Sequence, residues 1–191
     1  MYSRQIYIYI LIVSLFSTGC EKLVNDPGSA IEEITSDEGL NYWGGSYNDE
    51  GYAVIQTADG GYAIAGSRYT STGQQEDLIM VKFKSSLEIE DTTILGSGDN
   101  STYTNFANDI QQTKDGGYII VGKTFNSTDY DVWVIKLKSD LSLAWETTIQ
   151  TVAGSDDWGN SIQQMNSGAY VICGTSYDAT NHDHDITVWG L

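Results

Sequence analysis

Two histidines stand two residues apart in the run Asn181-His182-Asp183-His184-Asp185. On an extended strand such a pair points to one side, so both imidazoles could share a metal ion. His182 and His184 are therefore the candidate metal ligands, although no third ligand stands at a recognisable spacing. The aspartates do not fall at the positions of an EF-hand calcium loop. Nor does the chain carry a glycine-rich phosphate loop, a nucleophile elbow or a cysteine–histidine pairing. The expectation is a protein without catalytic residues or a cofactor. An enzyme or metal-binding protein using the His182/His184 loop is the alternative.

Other side chains are suited to recognition rather than reaction. Tyr47, Asp49, Tyr103, Phe106, Tyr130, Asp156, Trp158 and Tyr177 lie in polar segments between apolar runs. Aromatic rings beside carboxylates suit stacking against sugars and hydrogen bonding to their hydroxyls, so these eight are the candidate ligand-binding residues.

What positions them is a repeat. IQTADGGYAIAG at 55–66, QQTKDGGYIIVG at 111–122 and QQMNSGAYVICG at 163–174 align with one another. Downstream, EDLIMVKFK, YDVWVIKLK and HDITVWGL align on Asp77, Asp131 and Asp185, which are 54 residues apart. A shared period of this size is the mark of repeat architectures. Each copy reads as four strands. Strand A (Ala53–Thr57, Asn108–Thr113, Asn160–Met165) leads into a tight Asp-Gly-Gly or Ser-Gly-Ala turn. Strand B (from Tyr62, Tyr118 and Tyr170) is apolar almost throughout, as a strand covered on both faces must be. Cys173 falls in it and reads as a small buried thiol. Gly66, Gly122 and Gly174 share one register in B, where close packing would exclude a side chain. Strand C ends in Val-Lys-Phe-Lys or Ile-Lys-Leu-Lys, an alternation that sends one face to the core and the other to water. Strand D (Glu88–Leu95, Ala144–Gln150) is the most polar, as expected of an outer edge. No segment holds a helical period for long.

The fold expected is all-β: about three four-stranded antiparallel blades of a β-propeller, over about 46–96, 97–153 and an incomplete 154–191. The T-x-DGGY-x-x-x-G core and the D-x-W/I-V-x-K-L strand resemble bacterial exported proteins with β-propeller repeats. That resemblance covers residues 40–191 and implies architecture, since propellers host many unrelated activities. The third copy departs from it at Met165, Ser167 and Gly190. In such an arrangement the A–B and C–D turns fall at one end. The D–A and B–C loops, with the eight candidate ligand-binding residues, fall at the other.

Residues 1–19 read as a signal peptide, with Arg4 ahead of an 11-residue apolar stretch, Ile6–Phe16, too short to span a bilayer. Ser17-Thr18-Gly19-Cys20 resembles the bacterial lipobox. That resemblance implies cleavage before Cys20, diacylglycerol on its thiol, and a lipid-anchored place in the cell envelope outside the cytoplasm. The family usually has a Leu-like residue where this chain has Ser17. Residues 20–39, acidic and containing Pro27, read as a tether. Beyond the signal peptide eight bases face 26 acids, a net charge of −18, which argues against nucleic acid and anionic lipid as partners.

Three blades are few for a closed ring, since propellers have four to eight. The chain therefore reads as part of a larger propeller, with an open arc, or a homodimer closing a six-bladed ring, as the alternatives. The function expected is that of a lipid-anchored binding or scaffolding module. Its ligand, a glycan or a protein, would sit on the D–A/B–C loop face. A fragment with no independent function is a further alternative.

Overall fold

The computed structural model describes residues 43–44, 48–69, 76–96, 104–178 and 183–191. These form eleven β-strands and no helix. The first sheet is β1 (Asp49–Gln56), β2 (Tyr62–Tyr69), β3 (Glu76–Phe83) and β4 (Ile89–Leu95). The second is β5 (Asn105–Gln112), β6 (Tyr118–Phe125), β7 (Tyr130–Leu137) and β8 (Leu143–Ile149). The third is β9 (Asp157–Gln164), β10 (Tyr170–Asp178) and β11 (Asp183–Gly190). Every pairing is antiparallel between neighbours in sequence, and no sheet closes on itself.

The strands of type A begin three or four residues earlier than their apolar residues indicate, because a β-bulge interrupts each of them. Opposite the bulges stand Gly66, Gly122 and Gly174. A Cβ at any of these would run into the carbonyl oxygen of Glu50, Phe106 or Trp158 respectively. The glycine register thus reflects a backbone approach within the sheet.

The sheets stack in chain order, the first strand of each lying on the sheet before it: β5 on β1–β3, and β9 on β5–β7. One face of the first sheet (Ala63, Ala65, Leu78, Met80) packs on the opposite face of the second (Ile110, Ile120, Ile135, Leu137). In the same register, Ile119, Val121, Val132 and Val134 of the second sheet pack on Ile162 and Ile172 of the third. Burying an aliphatic side chain fully is worth about 2 kcal/mol, so these two seams are a main source of stability. Polar residues reinforce them. Gln112 accepts the backbone N–H of Ala58 at 2.8 Å, and one period later Gln164 accepts that of Lys114 at 2.9 Å.

Two expectations are corrected. Strand C does not show one face to water: β3 is buried along its whole length and β7 along almost all of it, Lys82 and Lys136 included. Each lysine runs back under the preceding turn. Lys82 Nζ meets Asp59 at 2.8 Å and Glu90 at 2.9 Å, and Lys136 Nζ meets Asp115 at 3.0 Å. The same aspartates accept from the hydroxyls of Thr57 and Thr113 and from the N–H of Gly61 and Gly117. Thr, Asp and Lys therefore form one latch across two hairpins. The third sheet has lost all three members at once, to Met165, Ser167 and Gly190. The second correction is Cys173, which is exposed because nothing among the described residues packs on its side of the third sheet.

Candidate functional site

The strand ends that flank the D–A and B–C connections share one end of the stack, opposite the latches. There the copies differ most. Glu50, Phe106 and Trp158 occupy one register position, Ser67, Lys123 and Thr175 a second, and Glu76, Tyr130 and His184 a third. The seams fix these strands rigidly, and the side chains at their ends are free to vary.

The variation brings aromatic rings around one cation. Lys123 faces Phe106 across β5–β6, and the third sheet supplies Trp158 from its first strand. The ammonium of Lys123 stands 4.5 Å from the ring centre of Tyr130, 4.7 Å from Phe106 and 5.2 Å from Trp158. These are cation–π distances. Among the described residues no carboxylate lies within ion-pairing reach of Lys123. Burial lowers its pKa, and the fields of Asp156 and Glu76 only partly oppose that. Phe125 extends the cluster, its ring centre 5.2 Å from that of Tyr130. The Trp158 ring carries on to His184, stacked at 5.0 Å, with Tyr177 edge-on to the same imidazole at 5.4 Å.

Carboxylates border the rings. Asp156 accepts the N–H of Tyr130 at 2.9 Å. Burial raises the pKa of Glu76, partly offset by a hydrogen bond from Tyr69. That bond, more than burial, pushes the Tyr69 hydroxyl up to about 12. Among the described residues, Ser67 Oγ, Glu76 Oε2 and Trp158 Nε1 are buried here without a hydrogen-bond partner, an uncommon state for native polar atoms. Beside the cluster, Asp129, Asp131 and Asp157 lie buried at the second seam. Asp157 accepts from the Thr151 N–H and hydroxyl, both at 2.7 Å. Asn126 donates to Asp131 and Gln150 to Asp129. Burial raises the pKa of Asp131, with the charges of Asp129 and Asp157 adding to the effect.

Of the eight candidate ligand-binding residues, the structure draws Phe106, Tyr130, Asp156, Trp158 and Tyr177 into this one assembly. Asp49 stands at the start of β1, near Gly44. Tyr47, Tyr103, His182 and Cys20 lie outside the described residues. His184, read as a metal ligand, is packed between aromatic rings. No group of three or more His, Cys, Asp or Glu side chains among the described residues is arranged to hold a metal ion. Lys123 was not among the candidates. The signal that could have found it is the copy-to-copy difference: one lysine where the other copies have Ser67 and Thr175, at the end of an otherwise apolar strand.

No protein-family model matches the chain, and no curated protein matches it.

Proposed function

We propose that this chain is an exported, lipid-anchored recognition module of β-propeller type, and that it binds a glycan at the ring cluster around Lys123. The convergence of Phe106, Tyr130 and Trp158 on a half-buried ammonium without a carboxylate partner carries the reading. Flat aromatic faces stack on the apolar faces of sugars. Lys123 and Asp156 supply a donor and an acceptor for hydroxyls. The strongly acidic surface leaves neutral polar ligands as the natural class. The propeller reading draws support from three stacked antiparallel sheets with buried inner strands and exposed outer strands β4 and β8. Residues 1–20 support the anchoring, through lipid on Cys20, and the envelope location.

The test is a glycan array probed with the full chain, followed by titration of any glycan it retains. Binding should be lost in Trp158→Ala and reduced in Lys123→Met, with unchanged β-sheet circular dichroism. Retention of no glycan, or binding indifferent to both substitutions, overturns the reading. For the anchor, Cys20→Ser should move the protein from the membrane to the soluble fraction.

A further inference from the structure

Two walls of the ring cluster alternate in sequence with buried acids. Tyr130 stands between Asp129 and Asp131, and Trp158 follows Asp157. Asn126 folds the turn that leads into β7. Its Oδ1 accepts the N–H of Thr128 at 2.9 Å and of Asp129 at 3.1 Å, and its amide donates to Asp131 Oδ2 at 2.9 Å. The amide of Gln150, one residue beyond β8, joins the two carboxylates from the other side. It donates to Asp129 Oδ2 at 3.1 Å and reaches Asp131 as well. Asp129 and Asp131 are therefore held together by two neutral amides.

The three acids are not equivalent. Asp157 is fully buried, and Thr151 satisfies both of its oxygens, the N–H on Oδ2 and the hydroxyl on Oδ1. Asp129 is 3 % exposed and Asp131 7 %, yet among the described residues the Oδ1 of each is buried without a hydrogen-bond partner. Nor does any Lys, Arg or His among the described residues lie within ion-pairing distance of the three acids. The chain treats its other buried charges differently: Lys82 meets Asp59 and Glu90, and Lys136 meets Asp115. Burying a carboxylate with an idle oxygen and no counter-charge is costly, and buried charges are as a rule paired or bound to metal. Two idle oxygens that share one glutamine amide thus point to a small cation between them.

We propose that Asp129 Oδ1 and Asp131 Oδ1 bind one calcium ion. A set of oxygen donors alone suits a hard cation. Calcium takes six to eight oxygens in flexible geometry, whereas magnesium demands a near-ideal octahedron and keeps several waters, which a buried site accommodates poorly. Two carboxylates supply the charge. The Gln150 amide, turned over, offers its oxygen, and water completes the shell; Asp157, with both oxygens engaged by Thr151, stays outside it. So few charged ligands place the affinity in the weak range of extracellular modules, a Kd of about 0.1–1 mM. The ion ties the Asp129–Asp131 segment to the end of β8, and so fixes Tyr130, one wall of the ring cluster. It binds whether or not those rings hold a glycan.

The test is thermal melting of the full chain in mild detergent at pH 7, in chelator, in calcium and in magnesium. In calcium at about 5 mM the melting temperature should rise by about 3–6 °C over the value in chelator, with a smaller rise in magnesium. Asp129→Asn and Asp131→Asn keep an acceptor for the Gln150 and Asn126 amides and lose only charge. In chelator each should keep the wild-type circular dichroism and melt no lower than wild type, and each should lose the calcium response. No calcium response in the wild-type chain overturns the proposal. So does a rise that magnesium reproduces in full, or one that survives both substitutions. A melting temperature indifferent to calcium but raised by mild acidification overturns it too, since a shared proton then supplies the missing positive charge.

Discussion

A Cβ added to Gly117 would stand 2.5 Å from the ammonium nitrogen of Lys136. In the third sheet both positions have changed together, to Ala169 and Gly190. The second glycine of Asp-Gly-Gly thus leaves room for two groups, the Leu137 carbonyl oxygen, 2.2 Å from that Cβ, and the lysine that runs beneath the turn; where the lysine is gone the third sheet carries an alanine. Gly117→Ala should destabilise by about 1–3 kcal/mol, the usual cost of overpacking. In a Lys136→Gly background the same change should cost measurably less. Denaturant unfolding of the four-member cycle reads the difference as a coupling energy.

The first glycine of the turn answers to a different constraint. Gly116 has a φ of 81° and no close neighbour, so Gly116→Ala meets only backbone strain and should cost about 1 kcal/mol. Gly122→Ala drives its methyl group into the Phe106 carbonyl, with no flexible side chain to yield. Its loss should be the larger, about 3 kcal/mol or more. Thermal melts of the two variants side by side would show the order.

The latch sets an acid limit. Hydrogen bonds from Thr113, Lys136 and Gly117, in that order, hold Asp115 down to about 2. A carboxyl lowered on folding contributes stability that is complete above its unfolded value of about 4 and is lost as pH falls through the folded value. Asp115→Asn should therefore cost stability at pH 7, and the gap to wild type should close between about pH 4 and pH 2. Because Asp115 is mostly exposed, solvent screening keeps the cost to about 1 kcal/mol. Unfolding midpoints across that range are the measurement.

Asp131 has the opposite sign. Burial raises its pKa, so ionisation opposes folding at neutral pH and the penalty disappears once the pH falls below its unfolded value. Asp131→Asn retains an acceptor for the Asn126 amide, which now donates at 2.9 Å. The variant should melt higher than wild type at pH 7, with the advantage gone below about pH 4. A lower melting point at pH 7 would show that the carboxylate charge itself is needed there.

Two kinds of buried lysine should respond differently to neutralisation. Burial alone would lower the pKa of Lys82, but hydrogen bonds to Asp59 and Glu90 reverse this and raise it. Lys82→Met leaves those acids unpaired and should cost about 1–2 kcal/mol at pH 7. Lys123 has its pKa lowered by burial with no such compensation. Lys123→Met should be no less stable than wild type. A large loss there would mean that the cation–π contacts outweigh desolvation.

The strand order, the turns and the period were legible because they are local. Asp-Gly-Gly marks a hairpin, and apolar runs flanked by turns mark strands. The latch was not, since it joins Thr113, Asp115 and Lys136 across two hairpins. Lys136 between Ile135 and Leu137 has the pattern of a solvent-facing residue, and only the turn folding back over it reverses that. Cys173 misled in the other direction: its apolar neighbours fit a covered strand, but covering depends on a following sheet. The ring cluster was half legible. Phe106, Tyr130 and Trp158 stood out by type, whereas Lys123, the residue at their centre, lies in strand B and declares itself only through geometry.

The paired glutamines, Gln112 on Ala58 and Gln164 on Lys114, have a consequence for how such a chain grows. Because the contact that leaves one sheet is the contact that the next one accepts, duplicating a segment of DNA one period long adds a unit that already fits its neighbours. Copy number can then change in single steps without inventing a new joint. The opposite end of the stack, which the glutamine contact does not touch, is left free to drift from copy to copy. Lys123 in one sheet and Thr175 in the next are the products of that freedom.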